Sequence, residues 1–419
     1  MKLPTPSRSA FLAFALSTAG LSVFSAASVG CTSLKDTGEA ADGATCSSTV
    51  NGGGDAASLT SALSSAAPGS CVVLVSQTYT GSFTVPAGVT LSSSRGTRAV
   101  FRSTDDKPAI ELAGGANGAG ASLFGIDVID TKGVGIVVRG GGAHIQDVTV
   151  SGAKSAAIAV QCKDASCLDG NHVVMLDDVR MKTSAMGLWA SGAHVRMKNG
   201  ESSDHGGETL TGGLGIVAQD GSRLELTGTK VERNTSVGVL LDGRGGTTGQ
   251  LTDVTVSHNA ARGVWAQKLK GTLDAPSLRV EGKTLIEDNK IVGLGAADSH
   301  GIIIVGGRIG TTVAAPVVSN LGSTESIGDG IGIFAGAGDV RMEGVELVGN
   351  ARAAALFDKS DGAIIIVGGK VEAGPSLLKV VVQNPVASAR VEVSTDVLSS
   401  VLTPLGVSAP DVPLARVLP

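Results

Sequence analysis

Hydrophobic and polar positions alternate with period two over short runs, and the runs recur along the chain. The stretch VERNTSVGVLLDG (231–243) has a skeleton that returns as VSHNAARGVWAQ and as IEDNKIVGLGAA. Before each of four asparagines, residues five and three positions upstream form an alternating pair. Thr229 and Val231 precede Asn234, Val254 and Val256 precede Asn259, Thr284 and Ile286 precede Asn289, and Val345 and Leu347 precede Asn350. Such alternation buries one face of a strand. A small residue then opens each of a series of apolar runs, among them GIVV (135–138), GLWA (187–190), GVLL (238–241), GVWA (263–266) and GIFA (332–335). Asn234, Asn259, Asn289, Asn320 and Asn350 follow one another at intervals of 25 to 31 residues.

No helical period separates these runs. The pattern predicts a strand, a sharp turn at each asparagine, a second strand and a looser glycine-rich turn. Asparagine tolerates left-handed backbone angles better than β-branched residues do. Coiling the repeat stacks the asparagines, whose amides can hydrogen-bond up and down the stack. The glycine opens the next strand where a Cβ would crowd. Each strand pairs in parallel with its copy one coil on, about 4.8 Å away. The predicted product is an all-β solenoid that buries its core coil by coil, a parallel β-helix.

An open solenoid end is an exposed sheet edge and has to be covered. SLTSALSSAA (58–67) places Leu59, Ala62, Leu63, Ala66 and Ala67 at helical spacing before Pro68-Gly69, which predicts a short capping helix. The run from Leu59 to Leu91, through CVVLVSQTYTGSFTVPAGVTL, resembles the N-terminal cap and first coil of the pectate-lyase-like β-helix superfamily, with Gln77-Thr78-Tyr79 departing from the usual Pro-Gly before the tyrosine. The resemblance implies a single-stranded right-handed parallel β-helix over 58–384. It is specific for the fold and says little about activity, because the fold hosts many functions. The tail, 385–419, carries five prolines and is expected to pack on the outside.

Composition supports thin repeated layers: 60 glycines and only 3% aromatic residues in 419. The net charge of −5 argues against a general nucleic-acid binder. The N-terminus reads as an export signal over 1–30, with Lys2 and Arg8 before the apolar stretch FLAFALSTAGLSVFSAASVG. Ser28-Val29-Gly30-Cys31 resembles a bacterial lipobox, which implies lipidation of Cys31 and a membrane contact through that anchor alone. Residues 31–57 are small and polar and suit a flexible tether. The chain is therefore expected outside the cytoplasm, as an outer-membrane or cell-surface lipoprotein or else secreted. Cys46, Cys71, Cys162 and Cys167 then form disulfides. Four cysteines allow three pairings, of which Cys46–Cys71 and Cys162–Cys167 are favoured.

Candidate chemistry is sparse. The pectin hydrolases of the superfamily carry an Asn-Thr-Asp triplet, an Asp-Asp pair, Gly-His-Gly and Arg-Ile-Lys. Here Asp177-Asp178, Ser299-His300-Gly301 and Arg308-Ile309-Gly310 are fragments of that set, and the triplet is absent. The lyases use calcium-binding aspartates and an arginine base. Arg180 and Arg196, each followed by methionine, are candidates as neighbours on adjacent coils, with Asp177 or Asp178 beside them. Asp204, His205 and Glu208 form the densest polar cluster, in a glycine-rich insertion. No carboxylate column suits calcium, so no metal or cofactor is expected unless the lyase reading holds. Trp189 and Trp265, the only tryptophans, stand third in their aligned runs, and Phe334 stands likewise. If alternation sends them outward, they line an apolar stripe suited to sugar rings. The sequence thus points to a non-catalytic scaffold that binds polysaccharide or a cell-envelope component, with a polysaccharide lyase or glycoside hydrolase as the alternative.

Overall fold

A computed structural model describes residues 39–115, 118–207, 212–318, 324–384, 386, 389–394 and 401–402. Each coil contains three strands. In one coil Arg223–Thr227 is followed by Lys230–Glu232 and Val237–Asp242, and the next coil begins at Thr248–Thr252. Stacking the coils makes three parallel sheets. The first sheet has 14 strands, from Ser48–Asn51 to Arg390–Val393. The second has 12, from Thr78–Thr80 to Lys370–Val371. The third has 14, one of which, Ala315–Val318, pairs antiparallel to Thr324–Phe334. The core runs up the axis, with Val231, Val256, Ile286 and Leu347 all pointing into it, as their alternation predicted.

The sequence pattern merged two of the three strands. Second-sheet strands are mostly three residues long and bend away from the first sheet at a left-handed residue, such as Asp178 (φ 54°), Asn199 (φ 52°) or Asp253 (φ 55°). Three residues are too few to show a period of their own.

The asparagines do stack. Asn234 Nδ2 donates to Asn259 Oδ1 at 2.8 Å, and Asn259 Nδ2 donates to Asn289 Oδ1 at 2.9 Å. The same acceptors take the backbone N–H of Asn234 and of Asn259 at 3.1 Å. All three, with Asn350, are buried at the turn between the second and third sheets. The left-handed angle, however, belongs to the residue before each asparagine: Arg233 (φ 56°), His258 (φ 57°), Asp288 (φ 55°) and Gly349 (φ 67°). Asparagine is required here for its amide, not for its backbone. The column continues on other polar side chains. Ser184 N donates to His205 Nδ1 at 3.3 Å, and His205 N donates to Asn234 Oδ1 at 3.2 Å. Between Asn289 and Asn350 the position is held by Thr312, whose N–H points to Asn350 Oδ1 at 3.4 Å. Asn320, expected there, lies outside the described residues.

The glycine four residues after each asparagine now has a cause. A Cβ on Gly238 would lie 2.7 Å from Asn259 Nδ2, and one on Gly263 would lie 2.7 Å from Asn289 Nδ2. The carbonyl of the next coil's glycine lies equally close or closer, 2.7 Å from a Cβ on Gly238 and 2.5 Å from one on Gly263, so carbonyl and amide together occupy the place of the missing side chain. Ala354 stands four residues after Asn350, and the following coil (371–377, VEAGPSL) brings no asparagine to crowd it.

The N-terminal end is closed by the helix Ala56–Ser65, capped by Asp55, whose Oδ1 accepts from Ser58 N at 2.8 Å. It buries Leu59, Ala62 and Leu63 against the first coil. Ser48–Asn51, expected within a tether, adds a strand to the first sheet and is pinned by the Cys46–Cys71 disulfide. Cys162–Cys167 is also formed. Arg390–Val393 and Val401–Leu402, expected in an external tail, extend the first and third sheets. Residues 1–38, with the expected signal and Cys31, lie outside the described residues.

Candidate functional site

Successive coils of the first sheet place their outward residues in register. One outward column reads His144, Met175, Arg196, Glu225, Gln250, Arg279, Ile303 and Arg341. Inward neighbours such as Val195, Met197, Leu224 and Leu226 anchor it in the core. At its centre Glu225 gathers three partners. Arg196 Nε donates to Oε2 at 2.8 Å, Arg223 Nε approaches Oε1 at 2.9 Å, and His194 Nε2 lies 2.9 Å from Oε1. Burial pushes the Glu225 carboxyl up, but hydrogen bonds from Arg196 and His194 outweigh it and hold it below the ordinary carboxylate range. Burial lowers His194, more than Glu225 raises it. A neutral His194 facing an ionised carboxylate carries its proton on Nε2. Its Nδ1 is buried and has no hydrogen-bond partner among the described residues.

Beside this cluster lies a groove of about 280 Å³ lined by Arg223, Glu225, Thr248, Gln250, Pro276 and Arg279, among others. Arg279 Nε donates to Glu281 Oε2 at 2.5 Å, and Gln250 Nε2 donates to Glu281 Oε1 at 2.9 Å. The groove is therefore walled by planar guanidinium, carboxylate and amide groups held in fixed orientation. Such groups meet hydroxyls in pairs of hydrogen bonds. Each arginine on this face sits beside a glutamate, so positive and negative charge nearly balance.

The expected catalytic candidates do not converge. Arg196 belongs to the groove cluster, whereas Arg180 lies on the second sheet between Thr149 and Glu201, so the two arginines face different ways. Asp177 joins the first-sheet face, 2.9 Å from His144 Nε2. Asp178 makes the left-handed bend that follows. Asp204 forms a two-point pair with Arg233, at 2.8 and 3.0 Å, which together with that hydrogen bonding lowers its carboxyl. His205 is fully buried in the turn column, and burial lowers it to about 4. Its Nδ1 accepts from Ser184 N and its Nε2 meets Ser202 Oγ at 3.1 Å, so both ring nitrogens are spent on structure. Glu208 lies outside the described residues. His300 lies on the first sheet and Arg308 on the second, far along the axis from Asp177. Among the described residues no group of three or more His, Cys, Asp or Glu side chains could hold a metal ion.

The tryptophans correct a second expectation. Trp189 and Trp265 do sit on the outer side of the third sheet, opposite to Leu188 and Val264 in the core. They are nevertheless 4% and 0% exposed, within a second apolar cluster separate from the core. They are no open sugar platform. Phe334 is not in their column either. Gly332 is in register with Gly295, and Phe334 stands two residues further on. It stacks on Trp265 with centroids 6.3 Å apart and planes 20° apart. Arg262 covers Trp265 at 4.6 Å from the ring centroid.

Sequence reading missed His194, Glu225, Gln250 and Arg279. The signal was an Arg-x-Glu step at Arg223-Leu224-Glu225, Arg279-Val280-Glu281 and Arg341-Met342-Glu343, whose alternation sends both charges to one face.

The fold defines the protein as a right-handed parallel β-helix. A family model described as a right handed beta helix region matches residues 134–315. Comparison with curated protein sequences found no match. Among solved structures, a point mutant of the periplasmic alginate epimerase AlgG is similar at 10% identity and a TM-score of 0.51, over 83% of this chain and 84% of that one. Pectate lyase Pel9A is similar at 12% identity and a TM-score of 0.47, over 83% and 79%. The A-module of Azotobacter vinelandii mannuronan C-5 epimerase AlgE4 is similar at 14% identity and a TM-score of 0.43, over 80% and 99%. At such identities the likeness carries the fold alone.

Proposed function

We propose that the protein is an exported, non-catalytic polysaccharide-binding scaffold, anchored through Cys31, that holds a glycan chain along the outer face of its first sheet. The observation that carries this reading is the groove between Arg223, Gln250 and Arg279. Its planar polar side chains repeat along the solenoid axis at about the strand spacing of 4.8 Å. A polymer lying on that axis meets a new set of donors and acceptors at each of the four coils from Arg196 to Arg279. The balanced charge favours a neutral or weakly acidic, hydroxyl-rich chain over a dense polyanion. The reading requires no cofactor. The name of the alginate epimerase that shares the fold adds alginate to the glycans worth testing.

A lyase or hydrolase remains the second reading, and one observation favours it. His144 and Asp177 form a partly exposed pair 2.9 Å apart on the same face, His144 two coils and Asp177 one coil from that of Arg196. Such a pair could move a proton while an arginine offsets a substrate carboxylate. The mature chain should be incubated with neutral and acidic polysaccharides, with and without calcium, and both retention and products measured. Retention without new reducing ends or unsaturated uronates is expected. Product from any of them would make the protein an enzyme.

A further inference from the structure

The outer face of the first sheet is closed at one end. The outward column that carries Arg196 and Glu225 begins at Cys71 and passes through Thr90 and Ser122 to His144. A second outward column beside it runs through Ser92, Phe124, Gln146 and Asp177. The chain from Glu39 to Cys46 lies across both. Arg95 N donates to Glu39 O at 2.8 Å, and Ala41 N donates to Ser92 Oγ at 2.8 Å. Arg95 also pairs with Asp42 at 2.6 Å. A Cβ on Gly43 would lie 3.1 Å from the side-chain amide of Gln146. Three residues after Gly43, Cys46 is bonded to Cys71. The segment therefore passes from the fourth of these coils back to the first. The outward side chains along its course are shut off from solvent: Cys71 and Ser92 are fully buried, and Phe124 and Thr90 are 4% and 8% exposed.

The open positions that adjoin this wall are polar and already paired. His144 Nε2 lies 2.9 Å from Asp177 Oδ2, and both side chains are partly exposed. The His144 ring meets the covered Phe124 ring edge to face, with centroids 5.2 Å apart, which fixes the pair against the wall. Met175 follows His144 in its column and presents an exposed apolar side chain between the pair and Arg196. A wall, a carboxylate and an apolar side chain together suit the last ring of a glycan. That ring carries a free hydroxyl where an internal ring carries its next glycosidic bond, and a carboxylate oxygen accepts from a hydroxyl. An internal ring in the same place would have to continue into Gly43 and Gln146. In the other direction the column runs on from His144 to Arg279 for five coil steps, about 24 Å at the strand spacing. Arg279 and Arg341, at and beyond that point, are partly exposed.

We propose, resting on glycan binding by the first sheet, that Glu39 to Cys46 form the end wall of that face. His144, Met175 and Asp177 then seat the terminal ring of a glycan, and the protein grips chain ends in preference to mid-chain stretches. The test uses the mature chain with alginate, polygalacturonate and dextran. Each is supplied as the long polymer and as short fragments from partial acid hydrolysis, and titration calorimetry reads binding sites per gram of glycan. For a glycan that binds, sites per gram should rise in proportion to the number of chains. Borohydride reduction of the fragments opens the ring at the reducing end, so lost binding assigns the seat to that terminus and kept binding assigns it to the other. Asp177→Ala should weaken fragment binding about tenfold at an unchanged thermal midpoint, because a hydrogen bond to a charged group is lost. Sites per gram that stay constant as the chains shorten would overturn the inference and leave glycan binding standing, as would equal fragment affinity in the Asp177→Ala chain. Binding of no glycan at any length would overturn both.

Discussion

A Cβ on Gly263 would lie 2.7 Å from the Nδ2 of Asn289, one coil further along the solenoid. It would also lie 2.5 Å from the Gly293 carbonyl, so the glycine position is set by the backbone and the ladder amide of the next coil together. Gly263→Ala should destabilise the chain by about 1–3 kcal/mol, because the Gly293 carbonyl and the ladder amide have to move from a packed site. Asn289→Ala should cost about 2 kcal/mol by removing the Oδ1 that accepts from both the backbone N–H and the Nδ2 of Asn259. The double variant should be less destabilised than the sum, since each change removes part of the other's conflict. Urea midpoints of the four chains measure the coupling, and strict additivity would mean that the two residues do not sense each other.

The buried His205 makes stability depend on pH. Its folded pKa, about 4, lies below the unfolded value near 6.5, so the unfolded chain takes the proton first. The stability is complete above about pH 6.5 and falls as pH drops toward 4, by up to about 3 kcal/mol. His205→Asn, which places an amide in the same column, should flatten most of the change between pH 7 and pH 5. His194, lowered by burial in the same direction, should account for what remains. An equally steep loss in the His205→Asn chain would assign the effect to other groups.

The Cys46–Cys71 disulfide closes a sequence separation of 25 residues and holds Ser48–Asn51 on the first sheet. Replacing both cysteines with serine should lower stability by about 3 kcal/mol on loop-closure entropy. Hydrogen exchange should quicken first in Ser70–Leu74, whose edge the strand protects. Faster exchange spread evenly over all coils would contradict a local role.

Much of the fold was legible because a solenoid repeats its instructions. The asparagine column, the inward alternation of Val231, Val254 and Val256, the capping helix and both disulfides follow from residues whose types are fixed by one local demand. The left-handed positions were not legible. Arg233, His258, Asp288, Thr311 and Gly349 share a backbone angle but no side-chain chemistry, so they leave no common mark. The candidate site was harder still. Alternation tells which residues point outward, and so placed Trp189 and Trp265 correctly on an outer side. It cannot tell whether that side is covered. The convergence of Arg196, Arg223 and His194 on Glu225 depends on coil-to-coil register, which loop lengths of differing size hide from the sequence.

The most direct measurement is affinity electrophoresis of the mature chain through gels containing neutral and acidic polysaccharides, alginate among them, beside the Gln250→Ala/Arg279→Ala double variant. Both side chains are on the surface of the first sheet and outside the core, so the variant should keep its fold and thermal midpoint. The wild-type chain should be retarded by at least one glycan, and the double variant should migrate as it does without glycan. Equal retardation of the two chains, or retardation of neither on any glycan, would contradict a glycan-binding face on the first sheet.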